Sequence, residues 1–348
     1  MAGELTFAQA RAAAERWVQL QGARYPGFAG AYIAGSYAGA PAQALYDPTS
    51  DVDVVLVLDA VQGVPKPGKF VWEGVLLEVS LLPAADFRDE RTVLTTHYIG
   101  YALSRPTLLA DPTGLLSRAA GWVAQRYGQP QWVRRRCQAM LARIRRQIAS
   151  FDPAQDYPSC ASGYLFTVGI TTFPILLAAQ ANCTVRKRYC AARQVLARCG
   201  LEEAYPRLMR LIDPRQLPPA RLQKHLDRLE TVFDAACASR GPSKDYVFRQ
   251  DISPEARPIA IDGSRALIRS AHPGEAVFWM GATFARCQTI FSLDDPDLKR
   301  RYQPNFSAFM VDLEAGTPEC MAARLTELTD ELPWIERLAE QVLARHQP

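Results

Sequence analysis

Ala31-Tyr32-Ile33-Ala34-Gly35-Ser36 and Ser50-Asp51-Val52-Asp53-Val54-Val55-Leu56-Val57-Leu58 are the two segments of this sequence that carry the clearest chemical pattern. In the second segment, the alternation of side chains predicts a strand and places Asp51 and Asp53 on one face at its start. Two carboxylates about 6 to 7 Å apart on a strand repel each other unless a cation lies between them. Because hard oxygen ligands favour Mg²⁺, this segment predicts a magnesium site.

A second acidic strand follows within residues 69–82, where the pattern predicts a hairpin that turns at Glu73-Gly74. Glu78 occupies the middle of the returning arm, and a glutamate in that position is costly to bury without a partner. We therefore expect Glu78 to lie on the strand next to Asp51 and Asp53 and to join the same metal site. Glu73 is the alternative metal ligand if the strand register differs. Its place in the turn and on the opposite face of the hairpin disfavours it.

The Gly35-Ser36 pair is predicted to open a turn after a strand at residues 28–33. Glycine permits a tight approach of the backbone, and Ser36 offers a hydroxyl and backbone N–H groups to a phosphate. Taken together with the acidic strands, this turn predicts a phosphate site beside the metal.

Length and composition set the broad class of the protein. The chain has 348 residues, 48% of them hydrophobic, which is enough for a large core and favours two domains. A formal net charge of +4 with no long one-signed run does not indicate a nucleic-acid partner. The eight cysteines form no Cys-x-x-Cys pair, and no signal peptide is apparent, so we expect free thiols and a cytoplasmic location.

The remaining pattern predicts an α+β fold: a small mixed β-sheet domain with flanking helices at residues 1–115, followed by an all-α helical bundle at 116–348. An uncharged apolar run at residues 157–185 is long enough to span a bilayer, but its polar residues favour a buried helix and no membrane. An irregular or hairpin insertion is predicted at 241–273. The predicted helices lie at residues 7–21 (capped by Thr6), 84–98, 113–127 (capped by Asp111), 131–150, 157–181, 186–199, 201–212, 218–238, 274–291 and 318–345, with a further strand at 107–110.

The Gly-Ser turn, the Asp-x-Asp motif between hydrophobic residues and the third acidic residue in a later strand resemble the nucleotidyltransferase fold of the DNA polymerase β superfamily. In layout the chain is similar to the aminoglycoside nucleotidyltransferases and related minimal nucleotidyltransferases, in which helices follow the catalytic domain. The resemblance covers about residues 31 to 82. The chain departs from the pattern in one respect, since the fourteen residues Tyr37 to Ser50 make a slightly longer gap than usual.

The resemblance implies a Mg²⁺-dependent transfer of a nucleoside monophosphate to a hydroxyl of a small acceptor, with release of pyrophosphate. AMP from ATP is the first candidate for the transferred group, and an aminoglycoside-like antibiotic is an example of the acceptor. Asp51 and Asp53 are then expected to hold two magnesium ions. Glu78 completes the ligand set or acts as the base, and Gly35 and Ser36 receive the triphosphate.

Two basic segments are candidates for further sites. Lys187 and Arg188 open a predicted helix, where cations oppose the helix dipole, and we expect them to bind the nucleotide triphosphate. The alternative is a solvated cationic face. The arginine-rich helix at residues 134–146 shows no interleaved aromatic residues, so ordinary helix surface is expected there and nucleic acid is not an expected partner.

Other functions stay open at this point. The same fold can serve as an antitoxin or regulatory nucleotide-binding protein, or as a nucleotidyltransferase that acts on protein or tRNA. The oligomeric state is also open, and a homodimer is one option because active sites in related proteins are sometimes shared between subunits. The four histidines show no zinc-ligand spacing.

Overall fold

The computed structural model describes residues 5–346, which form an α+β protein with many helices and a small mixed sheet. The described chain packs into two compact units. The first unit comprises residues 5–136 and 180–184, and the second comprises residues 137–179 and 185–346. The predicted domain boundary after residue 115 stays a prediction.

The sheet of the first unit contains the five strands β1 (Phe28–Ile33), β2 (Val52–Leu58), β3 (Gly68–Trp72), β4 (Val75–Pro83) and β5 (Leu108–Ala110). They lie in the order β3-β4-β2-β1-β5. Strands β2 and β4 pair in parallel, and the other neighbours pair antiparallel, so the sheet is mixed as predicted. The predicted hairpin is confirmed, with Glu73 and Gly74 at positive φ in a two-residue turn.

Strand β2 is buried on both faces, which explains its nearly continuous run of apolar residues. Val54 and Leu56 belong to a core cluster with α1 (Phe7–Leu20), whereas Val55 and Val57 belong to a second cluster on the opposite face. The acidic residues at the start of β2 therefore stand at the end of a rigid, covered strand.

The helices that cover the second face are shorter than predicted. Instead of one helix at 84–98 the structure has α2 (Ala85–Arg88), α3 (Glu90–Thr95) and α4 (His97–Ser104). The single-helix prediction is wrong because Asp89 is extended and its carboxylate accepts a hydrogen bond from the backbone N–H of Thr92, which starts a new helix. The predicted Thr6 cap of α1 is confirmed. The N-cap residue of α5 (Leu115–Arg126) is Gly114, but the carboxylate of Asp111 accepts hydrogen bonds from the backbone N–H groups of Leu116 and Ser117, as predicted for a capping side chain.

From residue 130 onward the described chain is almost entirely helical. The bundle surrounds α13 (Val277–Asp294), whose residues are buried on nearly all sides. The helices are α6 (Pro130–Ala149), α7 (Tyr157–Gly169), α8 (Phe173–Ala178), α9 (Arg188–Arg198), α10 (Tyr205–Ile212), α11 (Pro219–Ala238), α12 (Gly263–Ile268), α13 (Val277–Asp294), α14 (Pro296–Asp312) and α15 (Pro318–Arg345).

Two expectations for this region are wrong, and one is met in part. No helix is predicted at the position of α14, which contains Pro304 in its interior. The segment 241–273, predicted as irregular or a hairpin, forms short helical turns and α12 among its described residues and no hairpin, so only the irregular alternative is met. In addition, Arg136 in the arginine-rich helix α6 is buried and does not belong to an ordinary helix surface.

Within residues 5–346, one helical stretch, Tyr157–Ala178, is long and apolar enough to cross a membrane, and 83% of its most apolar window is buried within the protein. Such burial is typical of the core helix of a bundle. The eight cysteines are free thiols, as predicted.

Candidate metal centre

The pairing of β2 with β4 brings the three predicted carboxylates together. Asp53 lies directly opposite Glu78 in the parallel register, and Asp51 lies two residues earlier on the same face. One carboxylate oxygen from each of the three residues lies within 4.8 Å of the others. The triad predicted from the sequence is thus assembled where the start of β2 lies beside the middle of β4.

The donor set fits a divalent cation. All three ligands are hard carboxylate oxygens, the type that Mg²⁺ prefers, and ligands on opposite sides of one magnesium ion are separated by roughly 4 Å. The observed spacing of 4.8 Å or less is close to that separation. Asp51, Asp53 and Glu78 can therefore hold a metal ion with small movements of their side chains.

Two lysines that the sequence analysis did not single out face the triad. Lys69 Nζ lies 2.7 Å from Glu78 Oε2 and 3.2 Å from Asp51 Oδ2, and its side chain is only 7% exposed. Lys66 Nζ lies 3.3 Å from Glu78 Oε1, and its side chain is 45% exposed. The hairpin turn at Glu73-Gly74 was the available signal, since a two-residue turn fixes Lys69 opposite Glu78.

Burial and charge shift the acidities of the three carboxyl groups in different directions. Burial raises the pKa of Asp53 well above its ordinary value, and the neighbouring charges of Asp51 and Glu78 raise it further. Burial also raises the pKa of Asp51, against the opposing effect of Lys69. Burial alone would raise the pKa of Glu78, but Lys69 and Lys66 outweigh it, so this pKa is lowered.

The Gly35 turn lies against the second metal-ligand candidate, Asp53. The backbone N–H of Ala34 donates to the carbonyl of Asp53 at 2.8 Å, which extends the β1–β2 pairing to the turn. Gly35 has φ of +62°, and a Cβ at this position would lie 1.7 Å from Asp53 Oδ2. Only glycine therefore fits beside this carboxylate in its present position.

Ser36 lies in the same turn and contacts the far end of the loop that follows it. Its Oγ lies 3.1 Å from Oγ of Ser50, the residue before Asp51. The longer gap between the two motifs thus folds back on itself and leaves the Gly-Ser turn beside the acidic strand.

Asn182 makes a long-range contact to this turn that no local sequence pattern predicts. Its side-chain Nδ2 donates to the carbonyl oxygen of Gly35 at 2.9 Å, across 147 positions of the chain. The segment 180–184 that carries Asn182 belongs to the first unit. A residue remote in sequence therefore helps to fix the turn.

Lys187 and Arg188 belong to the second unit, and the triphosphate-binding role predicted for them stays a prediction. Arg188 is buried: its guanidinium lies 3.8 Å from the centroid of the Phe278 ring and 5.0 Å from that of Phe173, and its Nε donates to the carbonyl of Val185. Lys187 is exposed at the start of α9. The alternative prediction of a solvated cationic face therefore fits the exposed Lys187 but is wrong for the buried Arg188.

A scan against protein-family models finds no matching family, and a search of the curated proteins finds no similar sequence. The functional assignment therefore depends on the geometry of the site.

Proposed function

We propose that the protein is a Mg²⁺-dependent nucleotidyltransferase of the polymerase β type, with its catalytic centre in the first unit. It transfers a nucleoside monophosphate, with AMP from ATP as the first candidate, to a hydroxyl of a small acceptor and releases pyrophosphate. The observation that carries the proposal is the convergence of Asp51, Asp53 and Glu78 within 4.8 Å beside the Gly35 turn.

Asp51, Asp53 and Glu78 would hold the divalent cations. When bound, such cations neutralise triphosphate charge and stabilise the attacking and departing oxygens of an in-line displacement. A bond forms between the acceptor oxygen and the α-phosphorus, and the bond from the α-phosphorus to the bridging oxygen of pyrophosphate breaks. Glu78 completes the ligand set or accepts the proton of the acceptor hydroxyl.

The turn at Gly35 and Ser36 would receive the triphosphate. Glycine lets the backbone approach the phosphates closely, and Ser36 adds a hydroxyl donor. Asn182 would hold the turn in place through its hydrogen bond to the Gly35 carbonyl.

Label transfer tests the proposal. Purified protein is incubated with each α-³²P-labelled nucleoside triphosphate, Mg²⁺ and a panel of aminoglycosides, lincosamides, tRNA and candidate proteins. We expect label on one acceptor class together with pyrophosphate release. Asp53→Asn should abolish transfer, whereas Asp59→Asn, an exposed aspartate just after the other end of β2, should retain it.

A regulatory nucleotide-binding protein is the second candidate, and one observation favours it. Lys69 already forms ion pairs with Asp51 and Glu78, so two of the acids have a partner without a metal. Nucleotide binding without pyrophosphate release, across all acceptors, would support this alternative. The aminoglycoside-like acceptor, the cytoplasmic location and a homodimer stay predictions.

A further inference from the structure

Lys69 is held among the metal-ligand candidates by the architecture of the hairpin. The two-residue turn pairs Lys69 of β3 with Glu78 of β4, and β4 in turn pairs Glu78 with Asp53 of β2. These three side chains therefore lie side by side on one face of three adjacent strands. A lysine at this register position, with a side chain only 7% exposed, has little freedom to leave the carboxylates for solvent.

The ammonium of Lys69 contacts oxygens that a cation would need. It lies 2.7 Å from Glu78 Oε2 and 3.2 Å from Asp51 Oδ2, so it bridges two of the three ligands. A divalent ion bound at the same oxygens would lie within a few ångströms of this positive charge. Repulsion between them is strong because the surroundings are largely buried. Metal binding and the present position of Lys69 therefore compete.

The two lysines reduce the net negative charge that the site offers to a cation. With all three carboxyl groups ionised, as metal binding requires, the triad contributes −3 and Lys69 with Lys66 contributes +2, so the site offers a net charge of −1 to a cation. A nucleoside triphosphate brings several further negative charges. Its phosphate oxygens also offer the Lys69 ammonium a further anionic partner within the site.

We propose that Lys69 is an internal counter-ion that keeps the affinity of the free protein for divalent cations low, and that a bound triphosphate relieves this competition. This inference rests on the proposed nucleotidyltransferase site and describes its regulation. Metal and nucleotide then bind cooperatively, each raising the affinity of the other by the same factor. The protein avoids holding metal tightly until the nucleotide is present.

Titration with Mn²⁺, followed by the loss of the electron paramagnetic resonance signal of the free ion, tests the inference without catalysis. The titration is repeated with an ATP analogue that carries a methylene bridge between the α- and β-phosphates. For the wild type we expect weak Mn²⁺ binding alone and at least tenfold tighter binding with the analogue. For Lys69→Met we expect at least tenfold tighter binding alone and a smaller gain from the analogue.

Two control variants distinguish an effect of the Lys69 charge at its particular position from an effect of removing any positive charge near the site. Lys69→Arg keeps the cation and should bind Mn²⁺ as weakly as the wild type. Lys66→Met removes a more exposed cation, which solvent and salt screen, and should change the affinity less than Lys69→Met does. If Lys69→Met fails to fold, Lys69→Gln takes its place, and thermal melting should show a larger stabilisation by Mn²⁺ than in the wild type.

Failure of this inference differs from failure of the proposed function. If the wild type and Lys69→Met bind Mn²⁺ with equal affinity, and Asp53→Asn abolishes that binding, the metal site stands and the role of Lys69 is overturned. If no variant binds Mn²⁺ with or without the nucleotide analogue, both the metal site and the role of Lys69 are overturned.

Discussion

Gly35 and Asp53 are packed so closely that a single methyl group at Gly35 would collide with the carboxylate. A Cβ there would lie 1.7 Å from Oδ2 and 2.6 Å from Cγ of Asp53, and the backbone at Gly35 has φ of +62°. The turn and the metal-ligand candidate therefore constrain each other. Any side chain at position 35 must displace either the carboxylate or the turn.

Gly35→Ala should consequently weaken Mn²⁺ binding by at least tenfold, because Asp53 must move away from the other two carboxylates. The left-handed backbone adds a destabilisation of about 1 kcal/mol. Gly63→Ala is the matched control, since Gly63 has φ of +75° and open space around the Cβ position. It should lose similar stability in urea unfolding and keep its Mn²⁺ affinity. Equal Mn²⁺ affinity in both variants would contradict the prediction.

Asn182→Ala removes the hydrogen bond to the Gly35 carbonyl, and we expect it to weaken nucleotide binding more than metal binding. A lost hydrogen bond of this kind is worth about 1 kcal/mol, which corresponds to roughly fivefold in nucleotide affinity. Isothermal titration with the ATP analogue measures the effect, with Thr184→Ala in the same segment as the control. An unchanged affinity in Asn182→Ala would show that the turn does not depend on this contact.

Arg136 is predicted to be a structural residue whose geometry lysine cannot replace. Its guanidinium donates to the carbonyls of Leu94 and Tyr127 at 2.9 Å and 2.7 Å and lies 3.8 Å from the centroid of the Tyr127 ring. Arg136→Lys should lower the free energy of unfolding by about 2 kcal/mol, because one ammonium cannot reproduce the planar fork. Arg135→Lys on the exposed side of α6 should change it by less than about 0.5 kcal/mol. Equal effects in urea unfolding would refute the assignment.

His225 in α11 should make the stability of the second unit depend on pH. The side chain is fully buried, and its Nε2 lies 2.7 Å from Asp312 Oδ2. Burial lowers the pKa of His225 below its ordinary value, an effect that the charges of Arg221 and Arg228 reinforce and Asp312 opposes. In the unfolded chain His225 therefore becomes protonated near pH 6.5, whereas in the folded chain it stays neutral to a lower pH. The free energy of unfolding consequently falls as the pH decreases below 6.5.

The His225→Gln variant lacks this proton uptake, so its stability should depend less on pH between 7.5 and 5. The difference in unfolding free energy between wild type and variant should shrink over this interval, by at most about 1.4 kcal/mol per pH unit. Asp312, whose pKa is lowered by Arg221 and His225 against the effect of burial, contributes stability that is lost only below the ordinary carboxyl range. A difference that grows on acidification would contradict the assignment.

The sequence predicted those features of the site that depend on local patterns. The alternation in β2, the two-residue turn at Glu73-Gly74 and the glycine at position 35 are each encoded within a few residues. Together they were sufficient to bring Asp51, Asp53 and Glu78 to one face. The position of Lys69 was implied by the same turn, since the register of a hairpin follows from its turn length.

The features that were missed depend on tertiary structure or on competing local signals. Asn182 meets Gly35 across 147 positions, and no local pattern encodes such a contact. Pro304 argues against a helix, yet α14 continues through it because the packing of the bundle outweighs the loss of one backbone hydrogen bond. Arg136 looks like its exposed neighbours in sequence, and only its position on α6 makes it part of a core.

The location of a bound metal ion tests the central claim most directly. Crystals grown with Mn²⁺ and the methylene-bridged ATP analogue are measured near the manganese absorption edge, where the ion gives an anomalous signal. We predict a peak about 2.2 Å from carboxylate oxygens of Asp51 and Asp53, with Glu78 as a third ligand or neighbour and the triphosphate against the Gly35 turn. A saturated crystal in which the peak lies elsewhere, or in which the three carboxylates contact only Lys69 and Lys66, would contradict the account.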